Sequence, residues 1–243
     1  MSRNPLIIFI HGKWSRPDTY IFTALEKKLI SENYHVKKLD MPWSTNRNYD
    51  QSYPDALSDL SNKIKQYRQQ GFQKIVLIGH SLGANASFAY QAEYNNADAI
   101  VAITPGHTPE ALSNNKKYQQ WLQIAENIIK KKLKNTLIKF IDVNCGSKKL
   151  VETMTDIFYS YYHPQGLGNM PKSVLRIKKN IPVLYIEGVN DSVRTGPDYI
   201  FFRLPEHPYN GYKLVESNHI DCAKVSKDLI VEWLNNLKFN NLL

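Results

Sequence analysis

The segment around one serine constrains this chain more than any other feature. Residues 74–78 read as a strand, Gly79-His80-Ser81-Leu82-Gly83 follows at once, and residues 82–94 read as a helix. A strand that turns directly into a helix forces the residue at the corner into a strained backbone conformation. The two elements can approach only if the positions two before and two after that corner are small, and Gly79, Gly83 and Ala84 meet this need. The Ser81 hydroxyl is then held exposed at a helix N-terminus. A glycine-x-serine-x-glycine string alone is common by chance; here it stands in the strand–turn–helix context that the geometry demands.

The rest of the sequence alternates in a compatible way. Leu6–Ile10 is an unbroken apolar run ending in His11-Gly12, the pattern of a strand buried on both faces of a parallel sheet. Further strands are expected over 35–39, 74–79, 99–104, 181–188 and 211–215. Asp18 is expected to cap a helix with Ile21, Phe22, Leu25 and Leu29 on one face, ending at Asn33. Residues 56–70 place Leu57, Leu60, Ile64 and Tyr67 three or four apart, and 224–237 do the same with Val225, Leu229, Trp233 and Leu237. The alternation predicts an α/β fold with an open, mostly parallel sheet of about six strands flanked by helices.

Between Ile103 and Ile181 the alternation breaks. Residues 105–180 are expected to form an inserted, mainly helical cap over the carboxyl edge of the sheet, with 1–104 and 181–243 as the core. Thr108-Pro109-Glu110 reads as an N-cap, a first-turn proline and an acid that complements the helix dipole; Tyr118, Trp121, Leu122, Ala125, Ile128 and Ile129 continue at helical spacing. Residues 136–144 are strand-like, 150–162 return to a helical period through Met154, Ile157, Phe158 and Tyr161, and 164–171 read as loop. Tyr159, Tyr161, Tyr162 and Met154 would form either an aromatic, apolar pocket roof or plain core.

Composition narrows the function classes. With 243 residues, 42% of them hydrophobic, the chain can bury a sizeable core in one folding unit, which excludes disordered and fibrous classes. Its longest aliphatic runs, 6–10 and 99–103, fall far short of the ~18–20 residues of a membrane helix. Residues 1–5 lead straight into a strand without a leader pattern, so a cytoplasmic protein is expected, a removed signal peptide aside. Cys145 and Cys222 are expected as two free thiols. The formal charge is +9, and residues 105–180, with 13 basic against 5 acidic side chains, carry +8 of it. This excess is either a solvated helix face or a surface for an anionic partner. Lys130, Lys131, Lys132 and Lys134 follow a helical pattern without aromatic interleaving, so nucleic acid is not expected, whereas peripheral contact with anionic surfaces is compatible with it. No histidine pair has metal-ligand spacing and there is no cysteine cluster, so neither a metal nor another cofactor is expected.

A serine hydroxyl needs a base to take its proton, and the base needs an orienting acid. Asp191 follows the strand 181–188 and His219 follows the strand 211–215, both just past carboxyl ends, where open α/β sheets hold their sites. Asp221 is a rival acid, less well placed on the same loop as His219, and Asp142 is a more distant one. Acyl transfer also needs donors for an oxyanion: the backbone NH groups of Leu82 and of Lys13, the latter after Gly12, are the candidates. Trp14 either lines the substrate side or packs on the domain. His11 and His80 are expected to bond turns or pack, His107 and His163 to lie beside the cap, and His207 in a loop.

On Leu6 to Gly12, the turn around Ser81, Gly188-Val189-Asn190-Asp191 and His219, the chain resembles the α/β-hydrolase superfamily over nearly its whole length apart from the cap. The resemblance implies a compact member lacking the two leading strands, with Ser81 as nucleophile, Asp191 as acid and His219 as base. Serine rather than aspartate at the turn argues against haloalkane dehalogenase or epoxide hydrolase chemistry. His219 follows Asn218 where relatives often have glycine. The implied activity is a serine hydrolase cleaving a small-molecule ester, carboxylesterase-like, with lipase, thioesterase, peptidase, acyltransferase or a non-catalytic binding protein of the same fold as alternatives.

Overall fold

The structure, a computed structural model, describes residues 4–133 and 135–243, so the expectation for Lys134 lies outside the described residues. The strands are β1 (Leu6–Ile10), β2 (His35–Leu39), β3 (Ile75–His80), β4 (Ala99–Ile103), β5 (Leu137–Asn144), β6 (Ser147–Met154), β7 (Val183–Gly188) and β8 (Gly211–Val215). Six of them form one sheet in the order β2-β1-β3-β4-β7-β8, and every neighbouring pair in it is parallel. β2 and β3 flank β1 on opposite sides, so a crevice opens where the chain leaves the carboxyl ends of β1 and β3.

The helices are α1 (Tyr20–Ser31), α2 (Tyr53–Gln69), α3 (Leu82–Tyr94), α4 (Pro109–Leu112), α5 (Lys116–Lys130), α6 (Thr155–Tyr162), α7 (Met170–Val174), α8 (Cys222–Val225) and α9 (Lys227–Phe239). Successive side chains of β1 divide between the two faces. Leu6, Ile8 and Ile10 join Leu57 and Ile64 of α2 and Phe88 of α3, while Ile7 and Phe9 join Phe22 and Leu25 of α1 and Leu234 of α9. This two-sided cover explains why β1 is apolar without alternation. Each such fully buried side chain contributes about 1.5–3 kcal/mol. The edge strands β2 and β8 carry Lys37, Lys38 and Lys213, which discourage further strand pairing.

Several boundaries differ from the sequence reading. α1 begins after Thr19 and has no side-chain cap, and Asp18 instead faces Arg16 at 3.6 Å; Asn33, at φ 64°, follows the helix end as expected. α2 begins at Tyr53 because Ser52 accepts from the Asp55 NH and Pro54 occupies the first turn. Thr108 makes no cap bond and its helix stops at Leu112; Asn115 starts α5 by accepting from the Lys117 NH. The last helix breaks at Ser226, and its buried stripe is Ile230, Val231, Leu234 and Leu237, leaving Val225 exposed.

The largest correction lies between β4 and β7. Residues 150–162 are not one helix: β5 and β6 pair as an antiparallel hairpin, and only α6 beyond it is helical. Asn144 pairs with Ser147, so Cys145 and Gly146 form the turn, with φ of 47° and 81°. Positive φ at both positions matches the right-handed twist of a tight hairpin. Leu150 and Met154 imitate a helical stripe because residues four apart also share one face of a strand.

Candidate active site

Ser81 stands at the corner between β3 and α3 with φ 54° and ψ −120°, a conformation that L-residues rarely adopt. The reason is space. A Cβ on Gly79 would lie 2.3 Å from Gly83 O, and one on Gly83 would lie 1.9 Å from Ile10 O, so strand and helix could not meet as they do. Ser81 itself is only 6% exposed. Its side chain nevertheless borders a cavity of about 190 Å³ shared with Leu82, Gly106, Val143, Cys145 and His219. A Cβ on Gly106 would be 3.0 Å from Ser81 Oγ and 3.8 Å from His219 Cε1, so that glycine lies against both groups.

The loops after β7 and β8 bring Asp191 and His219 together. His219 Nδ1 is 2.7 Å from Asp191 Oδ2, and Asp191 Oδ1 accepts from the Val193 NH at 2.9 Å. Burial works against charge on both. On Asp191 it is outweighed by the His219 bond and the Val193 NH, and the carboxyl stays below its ordinary range. On His219 it is outweighed by the Asp191 bond, by the Cys145 sulfur and by the charge of Asp191, and the imidazole is raised to about 9. Ser81 Oγ has no hydrogen-bond partner among the described residues, Asp191 holds Nδ1 of His219, and Cys145 and Ser81 both share the cavity with that ring. Asp221 accepts from Asn218 Nδ2 at 3.0 Å and is not the partner of the ring.

The neighbouring histidines hold backbone. His80 Nε2 donates to the His219 carbonyl at 2.8 Å; burial, reinforced by the nearby His219, lowers its pKa to about 3, so it supports the loop as a neutral ring. His11 accepts from the Met41 NH through Nε2 at 3.1 Å and donates from Nδ1 to Gly12 O at 2.8 Å, as expected of a turn-bonding residue. His107 borders the cavity, donates from Nε2 to Tyr161 O at 2.8 Å, and is lowered by burial to about 3.

The loop after β1 comes close to the serine: a Cβ on Gly12 would lie 3.0 Å from Ser81 Cβ. The backbone NH groups of Lys13 and Leu82 donate to no protein acceptor among the described residues. The Lys13 side chain turns inward instead, to Asp142 Oδ1 at 2.8 Å. Asp142 is wholly buried and also accepts from Trp14 Nε1 at 2.9 Å, Tyr49 OH at 2.8 Å and Tyr162 OH at 2.5 Å. The third candidate acid thus belongs to a structural cluster, and Trp14 is pinned to it rather than lining the cavity with Ser81.

No protein-family model matches this sequence, and no curated protein matches it. Solved structures do. Est1E from Butyrivibrio proteoclasticus is 17% identical with a TM-score of 0.65, over 97% of this chain and 90% of that one. A monoacylglycerol lipase from Paleococcus ferrophilus is 18% identical with a TM-score of 0.66, over 95% of each chain. The alpha/beta hydrolase GrgF from Penicillium sp. sh18 is 16% identical with a TM-score of 0.69, over 99% of this chain and 90% of that one. The chain has the α/β-hydrolase fold.

Within this α/β-hydrolase fold the cavity roof differs from the one expected. Tyr161 and Tyr162 are core, Tyr159 packs at its margin and directs its hydroxyl to Glu126, and Met154 faces a separate outer groove. The hairpin tip at Val143, Asn144, Cys145 and Gly146 borders the cavity instead. Gly106 and Cys145 were missed as site residues. Pro105-Gly106 directly after β4 was a signal for the first; Cys145-Gly146 as a turn between alternating segments was one for the second.

Proposed function

We propose that this protein is a cofactor-independent serine hydrolase that cleaves small or medium carboxylic esters through an acyl-enzyme on Ser81. The observation that carries the reading is the 2.7 Å His219–Asp191 contact beside the cavity that Ser81 borders. Asp191 keeps the proton on Nδ1 and supports the imidazolium that forms, so His219 Nε2 serves as the base. Nε2 takes the Ser81 proton as Oγ attacks the carbonyl carbon, then gives it to the leaving alkoxide oxygen. Water enters, loses a proton to the same nitrogen, attacks the acyl carbon and releases the acid with Ser81 restored.

The unused Lys13 and Leu82 NH groups are the donors proposed for the oxyanion. Removing one such donor in other enzymes costs about 100- to 1,000-fold in kcat. The names of the structural neighbours, which include an esterase domain and lipases, agree with ester cleavage. A cavity of about 190 Å³ favours the small end of the substrate range.

Labelling with a fluorophosphonate probe tests the reading, with Ser81→Ala as control and a panel of nitrophenyl esters of increasing chain length beside thioesters and peptides. The expected result is labelling and ester turnover that both vanish in the variant. Labelling that persists in Ser81→Ala, or no turnover of any ester, removes the assignment.

A further inference from the structure

The hairpin β5–β6 exposes aliphatic side chains on its outward face, Leu137, Val143 and Leu150 among them. Its register opposes Leu137 to Met154, Lys139 to Glu152, Ile141 to Leu150 and Val143 to Lys148, and directly opposed side chains share a face. The alternate set, Ile138, Phe140, Asp142, Val151 and Thr153, is buried against the rest of the molecule. The first set therefore faces outward, with Leu150 62% and Leu137 55% exposed. Lys139 and Glu152 pair across its centre at 3.0 Å. At the hairpin base, Met154 shares a groove with Ile129, Lys132 and the exposed Leu133, next to the C-terminus of α5. The result is an aliphatic strip running from Val143, at the mouth of the Ser81 cavity, to Leu133.

Lysines border this strip at both ends: Lys148 opposite Val143, and Lys131 and Lys132 beside Leu133. Neither Lys131 nor Lys132 has an acidic partner within 4.0 Å among the described residues. We propose that the strip docks the protein on an anionic lipid surface, with the outer hairpin face among the headgroups and the lysines on lipid phosphates.

The chemistry of the strip favours lipid over protein. Protein interfaces concentrate Trp, Tyr and Arg and are poor in Lys. The strip is aliphatic, and its cations are lysines, whose stems lie along apolar surface while the ammonium reaches phosphate. A second copy of the chain would bring two segments of +8 each against one another. Docked this way, the cavity mouth at Val143 and Cys145 lies near the bilayer, where amphiphilic esters concentrate.

The docking rests on the hairpin and not on the hydrolytic reading, so its test uses Ser81→Ala protein, which leaves the lipid intact whatever the wild type does. Co-sedimentation compares vesicles of phosphatidylcholine alone with vesicles that also contain phosphatidylglycerol. Binding is expected to require phosphatidylglycerol and to weaken as salt is raised. Each lysine near such a surface strengthens binding by about 5-fold, so Lys131→Ala with Lys132→Ala should weaken it by about 25-fold. Leu137→Ser with Leu150→Ser should weaken it at every salt concentration; circular dichroism confirms that both double variants fold. Absence of binding to the anionic vesicles at low salt, or binding that survives both pairs of substitutions, overturns the proposal. Light scattering that shows a dimer converted to monomer by Leu137→Ser with Leu150→Ser would assign the strip to a second copy and overturn it equally.

Discussion

Lys13 Nζ lies 2.8 Å from Asp142 Oδ1, with the carboxylate wholly buried and the lysine nearly so, and the pair ties the loop after β1 to the inner face of β5. Burial alone would raise the Asp142 pKa, but the Lys13 charge and the bonds from Lys13, Tyr162 and Tyr49 hold it below the ordinary range. Removing one member strands the other in the interior, so Asp142→Leu alone should destabilise the protein by about 3–5 kcal/mol. Replacing both, as Lys13→Met with Asp142→Leu, should cost less than the sum of the single changes. Urea unfolding of the four proteins in the cycle measures this. Because the carboxyl is depressed, the contribution is present above an unfolded pKa near 3.8 and is lost as pH falls below it. Additive losses would show that the two side chains do not depend on each other.

The pH profile should report His219. A base must be neutral, and the ring is raised to about 9, so kcat/KM on an ester is expected to climb with pH and level off near that value. Cys145→Ala removes one influence that favours the imidazolium and should move the limb to lower pH. The sign for stability is opposite: a raised histidine favours the folded state fully below its unfolded pKa of 6.5, and this is lost as pH rises through about 9. A limb unchanged in Cys145→Ala would exclude the thiol from the ring's environment.

Three glycines should respond differently to one methyl group. Gly79→Ala and Gly83→Ala push a Cβ into backbone at 2.3 and 1.9 Å, and both are expected to prevent folding or to destabilise severely. Gly106→Ala meets the Ser81 Oγ at 3.0 Å, so it should fold yet lose most activity by displacing the hydroxyl. Thermal melts paired with fluorophosphonate labelling rates separate the two classes. A fully active Gly106→Ala would show that Oγ has room to move.

Glu187, wholly buried at the end of β7, is expected to hold the Asp191 loop. It accepts from the Thr195 NH at 2.8 Å, the Gly196 NH at 3.2 Å and Tyr212 OH at 2.7 Å. Glu187→Leu leaves these donors unpaired, at about 1–3 kcal/mol for each buried one. Melting temperature and kcat should fall together, whereas Glu187→Gln, which keeps acceptor capacity, should recover part of both. An unchanged melting temperature in Glu187→Leu would remove Glu187 as the anchor of this loop.

The amino-acid sequence by itself determined the sheet and the corner at Ser81. Runs such as Leu6–Ile10 are apolar at every position because both faces of β1 are covered, and Gly79 and Gly83 leave a trace because nothing larger fits. Asp191 and His219 were legible from their places just past strand ends. Only the tertiary structure decided what lies between β4 and β7. Leu150 and Met154 suit a strand face as well as a helical stripe, and pairing with residues 137–144 selects the strand, a choice no local period contains. The partners of Asp142 come from three separate stretches of the chain, at Lys13-Trp14, Tyr49 and Tyr162, and a buried carboxylate can be told from a catalytic one only when those donors surround it.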